Sequence, residues 1–129
     1  MNIVLVVGAR NFDDCARVHR VLDKAHAKKP ITHVVHEGYS AGAFASAWSR
    51  VNDGVIEVAM PALLHRRIKR KMEHKAKAIF DLLKVRTVLT FNVDPECYFL
   101  LKEAEARGVT IRPFKPKDEP VKERKSRKR

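Results

Sequence analysis

Two short segments of this chain combine glycine with groups that can hold an anion. The first is Gly8-Ala9-Arg10-Asn11-Phe12, directly after the apolar run Ile3-Val4-Leu5-Val6-Val7. Gly8 lets the backbone turn off a strand, and the Arg10 guanidinium is a planar fork of N–H donors that fits phosphate. The second is Glu37-Gly38-Tyr39-Ser40-Ala41-Gly42-Ala43. Two glycines and a serine at a helix start present several backbone N–H groups, and a helix N-terminus favours negative charge. Tyr39 could stack on a base there. A third loop, Asn92-Val93-Asp94, lacks glycine and carries an acid, so it should repel phosphate. Neither glycine loop matches the dinucleotide fingerprint or the Walker pattern. Turn geometry at Gly8 and close helix–sheet packing at Gly42 are the plain alternatives.

Other chemistry finds less to build on. Cys15 and Cys97 are far apart and each falls within a predicted helix, which is neither a disulfide framework nor a zinc pattern. They read as reduced, packed thiols in a cytoplasmic protein. His33 and His36 lie three apart on a predicted strand, so they point to opposite faces and do not share a metal. Asp13 and Asp14 suit a helix cap better than a cation, and no metal site is expected.

The elements that must carry these loops follow from the hydrophobic pattern. Ile3–Val7 is a continuous apolar run, as in a strand buried on both faces. Asp13 is the expected N-cap of a helix to about Lys28, with Cys15, Val18, Leu22 and Ala25 at helical spacing and Pro30 beyond its end. Residues 31–36 form a second strand. Ser40 caps a helix whose apolar positions are Phe44, Ala47, Trp48 and Val51, closed by Asp53-Gly54. A third strand spans 55–60. Pro61 opens a long helix over 62–84, striped by Leu64, Ile68, Met72, Ala76, Ile79 and Leu83. Residues 85–91 are β-branched and strand-like. Asp94-Pro95 starts a helix to Arg107 with Gly108 as its C-cap, and 109–114 is a fifth strand. Strict β-α alternation predicts an α/β fold of Rossmann-like type: a mostly parallel five-stranded sheet flanked by helices on both faces. The strand order is not readable from the pattern. The expected division is one domain over 1–114 and a disordered tail over 115–129, with no internal repeat.

Charge sets the class of partner. The chain has 129 residues, 45% of them hydrophobic, and 27 Lys and Arg against 15 Asp and Glu, a formal net charge of +12. Such a chain attracts polyanions. The predicted long helix carries Arg66, Arg67, Lys69, Arg70, Lys71, Lys75, Lys77 and Lys84 against Glu73 and Asp81. The tail holds Lys115, Lys117, Lys122, Arg124, Lys125, Arg127, Lys128 and Arg129 against Asp118, Glu119 and Glu123, with Val121 its one aliphatic residue. A segment of that composition does not bury enough to order itself. Arg66, Arg67, Lys69, Arg70 and Lys71, together with Lys122, Arg124, Lys125, Arg127, Lys128 and Arg129, are the candidate contacts to DNA or RNA backbones. The short apolar start reads as a strand and not a leader, and no run is long enough to cross a membrane.

The Gly8-Ala9-Arg10-Asn11-Phe12-Asp13 segment resembles the opening Gly-x-Arg-x-Phe of the SLOG superfamily. These are Rossmann-like nucleotide-sensing relatives of the LOG phosphoribohydrolases and of DprA. The residues from Ile31 to Ala43 resemble the small bacterial and phage YspA-type branch, in which a strand leads into Gly-Gly-x-x-Gly-Ala-Asp and a tryptophan-bearing helix. Gly38, Gly42, Ala43 and Trp48 match, and the resemblance extends over about residues 1 to 112. It implies a nucleotide-type ligand at Gly8, Arg10, Asn11, Phe12, Gly38, Tyr39, Ser40, Gly42 and Ala43, no further cofactor, and pairing as a homodimer. The chain also departs from the pattern. Glu37 replaces the first glycine and Phe44 the aspartate. Asn92-Val93-Asp94-Pro95-Glu96-Cys97 stands in place of Pro-Gly-Gly-x-Gly-Thr, and Lys69-Arg70-Lys71-Met72 only echoes Arg-Asn-x-x-Met. LOG enzymes place catalytic residues in that missing Pro-Gly-Gly-x-Gly-Thr loop, so the family's second glycine loop is degenerate here, at residues 92–97, and binding is favoured over catalysis. Three functions are therefore expected in order: a nucleotide-binding module with a basic surface, a non-enzymatic nucleic-acid or protein adaptor, and a LOG-like nucleotide hydrolase using Arg10 and Glu96.

Overall fold

The computed structural model describes residues 1–9, 11–38, 40–59, 72–92 and 98–114. In chain order the elements are β1 (Ile3–Gly8), α1 (Cys15–Lys28), β2 (His33–His36), α2 (Ala41–Arg50), β3 (Ile56–Ala59), α3 (Met72–Leu82), β4 (Val85–Phe91), α4 (Tyr98–Ala106) and β5 (Thr110–Phe114). The α/β alternation expected from the sequence is present, and the sheet is parallel at every pairing.

The strand order, which the pattern left open, is β3-β2-β1-β4-β5. The chain builds outward from β1 to β3, then crosses back to add β4 and β5 on the other side. The order therefore reverses between β1 and β4, the position where open parallel sheets take ligands beyond their C-terminal strand ends. β1 is the central strand and is buried throughout, which is why its sequence is continuously apolar instead of alternating.

Each face of the sheet has its own core. On one face Val4, Val6, Val34, Leu89 and Phe91 pack against Val18 and Leu22 of α1 and against Ala41, Ala45 and Trp48 of α2. On the other, Ile3, Leu5, Val7, Val35 and Val88 pack against Ile79 and Phe80 of α3 and Ala104 of α4. Of the predicted stripe on the long helix, Ala76 and Ile79 are buried and Leu83 half-buried; Leu64 and Ile68 lie outside the described residues. Trp48 is locked by more than burial, since its indole Nε1–H donates to Asp23 on α1 at 2.8 Å.

Two caps refine the sequence expectations. The N-cap of α1 is Asp14 and not Asp13: the Asp14 carboxylate accepts from the Arg17 backbone N–H at 3.1 Å. α4 ends in a Schellman motif, with Val109 N–H donating to Ala104 O and Gly108 N–H to Glu105 O. Gly108 holds φ 71°, the left-handed conformation that motif needs. The start of this helix predicted at Asp94-Pro95 lies outside the described residues, as does the tail over 115–129.

Candidate functional site

Both glycine loops emerge at the C-terminal edge of the sheet. β1 ends at Gly8, β2 at His36 and β4 at Phe91, and the strand register pairs Val6 with His36 and Gly8 with Phe91. α1 and α2 both begin at this edge because each follows a parallel strand directly.

Gly8 is the contact point between the two loops. An added Cβ there would lie 2.8 Å from the Ala41 Cβ and 3.0 Å from the Phe91 carbonyl oxygen. The first turn of α2 thus rests directly on the end of β1. Gly42, the next residue of α2, does the same against β2: a Cβ would come within 2.9 Å of the Glu37 backbone nitrogen. The close-packing alternative for Gly42 is therefore the geometry observed, and Gly8 likewise serves close approach. Together they draw the N-terminus of α2 onto the C-terminal ends of β1 and β2.

The loop after β1 is stitched to β4. Ala9 N–H donates to Phe91 O at 3.2 Å and to Asn92 O at 3.0 Å, and Phe12 N–H returns to Ala9 O at 3.0 Å. Phe12 is buried, its ring 5.4 Å from that of Phe91, which in turn stacks on Phe114 at 5.3 Å. Phe12 therefore anchors the loop, while Asn11 is exposed. Arg10 and Tyr39 lie outside the described residues.

The loop after β2 departs furthest from ordinary backbone geometry. Gly38 has φ 92°, and Ser40 has φ 46° with ψ −125°, a region that residues with a Cβ occupy at a cost of about 1–3 kcal/mol. Ser40 occupies the N-cap position of α2, as expected, but its side chain makes no capping bond and its Oγ is buried with no hydrogen-bond partner. The opening N–H groups of a helix have no acceptor one turn back, so the first turn of α2 carries partial positive charge. Gly38 is exposed, and Ser40 and Ala43 are half-buried. Backbone strain, an orphan hydroxyl and a helix N-terminus coincide beside Gly8.

A polar cluster next to this edge was not found from the sequence. His36, at the end of β2, is 3% exposed, and its Nε2 lies 2.7 Å from Glu57 Oε2 on β3. Ser46 Oγ donates to the same carboxylate oxygen, and Arg50 Nε pairs with Glu57 Oε1 at 2.9 Å. The hydrogen bond from Ser46 and that from Arg50 hold the Glu57 carboxyl down at about 2, against some opposing desolvation, with His36 assisting. The cluster ties α2 to β2 and β3 and so fixes the helix whose first turn forms the site. Only the β2–β3 pairing brings these residues together. Among the described residues, no cluster of three or more His, Cys, Asp or Glu could hold a metal ion, and no helix is long and apolar enough to cross a membrane.

Cys15, the first residue of α1, is a free thiol 3.6 Å from His19 Nε2, which also contacts Phe44 O at 3.0 Å. Because a carbonyl only accepts, that nitrogen carries the proton and His19 is not a base toward Cys15. Cys97, Glu96 and the basic residues Arg66, Arg67, Lys69, Arg70, Lys71, Lys122, Arg124, Lys125, Arg127, Lys128 and Arg129 lie outside the described residues.

No curated protein and no solved structure matches the chain. The sequence model of one family does, over residues 2–66, just over half of the 129 residues. The matched span contains β1, both glycine loops, α1, α2 and β3, the part that builds the edge described above. The chain belongs to the YspA, cpYpsA-related SLOG family.

Proposed function

We propose that this protein is a binding module for a nucleotide or nucleotide derivative, held at the C-terminal edge of the sheet between the loop after β1 and the first turn of α2. The observation that carries the proposal is the seating of the α2 N-terminus on Gly8 at the point where strand order reverses. Family membership supports it, since the family fold is nucleotide-related. The phosphate end of the ligand lies at the first turn of α2, with Gly38, Ser40, Gly42 and Ala43 supplying backbone and hydroxyl donors. Gly8, Asn11 and Phe12 shape the opposing wall, Arg10 supplies the charged fork, and Tyr39 the stacking surface. The basic residues of the segment before α3 and of the tail then tether the protein to DNA, RNA or an acidic partner.

Binding is favoured over turnover because Asn92-Val93-Asp94-Pro95-Glu96-Cys97 stands where LOG relatives carry their glycine loop. Calorimetric titration with a panel of nucleoside mono-, di- and triphosphates and dinucleotides tests the proposal. One ligand class should bind with one site per chain, and Arg10→Ala should weaken it about tenfold or more, the value of one charge-assisted hydrogen bond. Absence of heat with every member of the panel would refute it.

A further inference from the structure

Four of the described cations line one flank of α1. Arg17, Arg20, Lys24 and Lys28 follow each other at spacings of three and four residues, so they share one side of the helix. Arg20, Lys24 and Lys28 are exposed, and the four residues extend over about 16 Å at 1.5 Å per residue. The α2-facing flank is a different one. It is marked by His19 against Phe44 O, Asp23 against the Trp48 indole and His26 edge-on to Trp48. The helix therefore segregates its charges: Asp23 is engaged with α2, Asp14 is engaged in the cap, and the opposite flank is cationic.

That flank borders the side of the sheet where α1 and α2 pack. On this side β5 presents Phe114, which packs against the same core, and by alternation Thr110 and Arg112, both exposed. The exposed Arg112 guanidinium sits 5.8 Å over the half-buried Phe114 ring, which leaves the outer side of the guanidinium plane open. Arg17 adds a further sign, since its Nε is buried and has no acceptor. On the other face Arg107 is neutralised by Asp81 at 2.8 Å and by Glu103 at 2.6 Å, and the exposed Lys77 and Lys102 sit singly on two different helices.

We infer that the α1 flank, Arg17, Arg20, Lys24 and Lys28, together with Arg112 on β5, is a second polyanion site, one that takes the backbone of a single-stranded nucleic acid. A line of cations along one helix matches repeating phosphates. The exposed Arg112 guanidinium on the same side of the sheet suits an unpaired base, which stacks on such planes without sequence preference. The site deepens the nucleic-acid part of the proposed function and is independent of the nucleotide pocket.

The test uses the full chain and fluorescein-labelled 20-mers of deoxythymidine and of uridine, titrated at several salt concentrations. Three proteins are compared: the native chain, the triple variant Arg20→Gln/Lys24→Gln/Lys28→Gln, and a tail variant with Lys122, Arg124, Lys125, Arg127, Lys128 and Arg129 changed to Gln. The altered α1 positions are exposed, so circular dichroism should match the native chain. The helix variant should bind both oligomers at least about tenfold more weakly at low salt. Its log–log salt slope should be shallower by about 2, at about 0.7 for each phosphate no longer neutralised. A helix variant that binds as the native chain does, while the tail variant weakens, overturns this inference and leaves the broader polyanion reading standing. A native chain that binds neither oligomer overturns both. Polyglutamate displacing the oligomers as well as unlabelled DNA does would overturn the nucleic-acid assignment.

Discussion

Replacing Gly8 with alanine tests the packing that creates the site. The new Cβ would lie 2.8 Å from the Ala41 Cβ and 3.0 Å from Phe91 O, where carbon atoms ordinarily settle at about 3.5–4.0 Å. Neither neighbour can swing aside. Ala41 has no rotamer, and the Phe91 carbonyl is strand backbone that already accepts Ala9 N–H. Either α2 or β4 must shift by several tenths of an ångström, so the cost falls in the overpacking range, about 2 kcal/mol. For a chain of this length Tm should drop by roughly 6–10 °C. Urea denaturation followed by fluorescence of Trp48, the one tryptophan and a buried one, measures the loss. Gly54→Ala is the control: its φ is 86°, but nothing lies within 4 Å of an added Cβ, so only backbone strain of about 1 kcal/mol applies. Adding Ala41→Gly to Gly8→Ala removes the closest contact and should restore at least about 0.5 kcal/mol beyond additivity. A Gly8→Ala protein no less stable than Gly54→Ala, or an additive double variant, would refute the claim that α2 rests on β1 at this glycine.

Two further outcomes follow from the caps and the polar cluster. Asp14→Ala should cost about 1 kcal/mol in chemical denaturation, and Asp13→Ala close to nothing, because only Asp14 receives the Arg17 N–H. Glu57 has its carboxyl lowered from 4.5 to about 2, so its contribution to stability is complete above pH 4.5 and is lost as pH falls toward 2. That contribution is at most about 3 kcal/mol. Glu57→Gln should therefore flatten the stability profile between pH 5 and 2, measured by urea midpoints across that range. An unchanged profile would mean that Glu57 is not held by Ser46 and Arg50.

Much of this fold was legible because each signal was local. The apolar run Ile3–Val7 marked the buried central strand, and the β-branched stretch at 85–91 marked β4 with its observed bounds. Strand order was not legible, because the hydrogen-bonding partner of a parallel strand lies a helix away and leaves no local trace. The choice between Asp13 and Asp14 as cap turned on one residue of register that two adjacent acids could not encode. Ser40 was recognised by type as an N-cap, but its positive φ depends on how the chain rises from His36 to meet α2. The glycines were seen as loop chemistry, whereas their first role is steric: Gly8 and Gly42 let a helix touch two strand ends. The cluster of His36, Ser46, Arg50 and Glu57 was invisible for the same reason as the strand order. His36 and Glu57 are 21 residues apart and meet only once β2 pairs with β3.

The most direct test of the central claim is a two-dimensional amide NMR titration of the ¹⁵N-labelled chain with the tightest nucleotide found by calorimetry. Saturable shifts should concentrate at residues 8–12 and 38–43, with Ser40 and the first turn of α2 among the largest. Shifts confined to the opposite, N-terminal edge of the sheet, or to surface lysines alone, would contradict a ligand seated where α2 meets the end of β1.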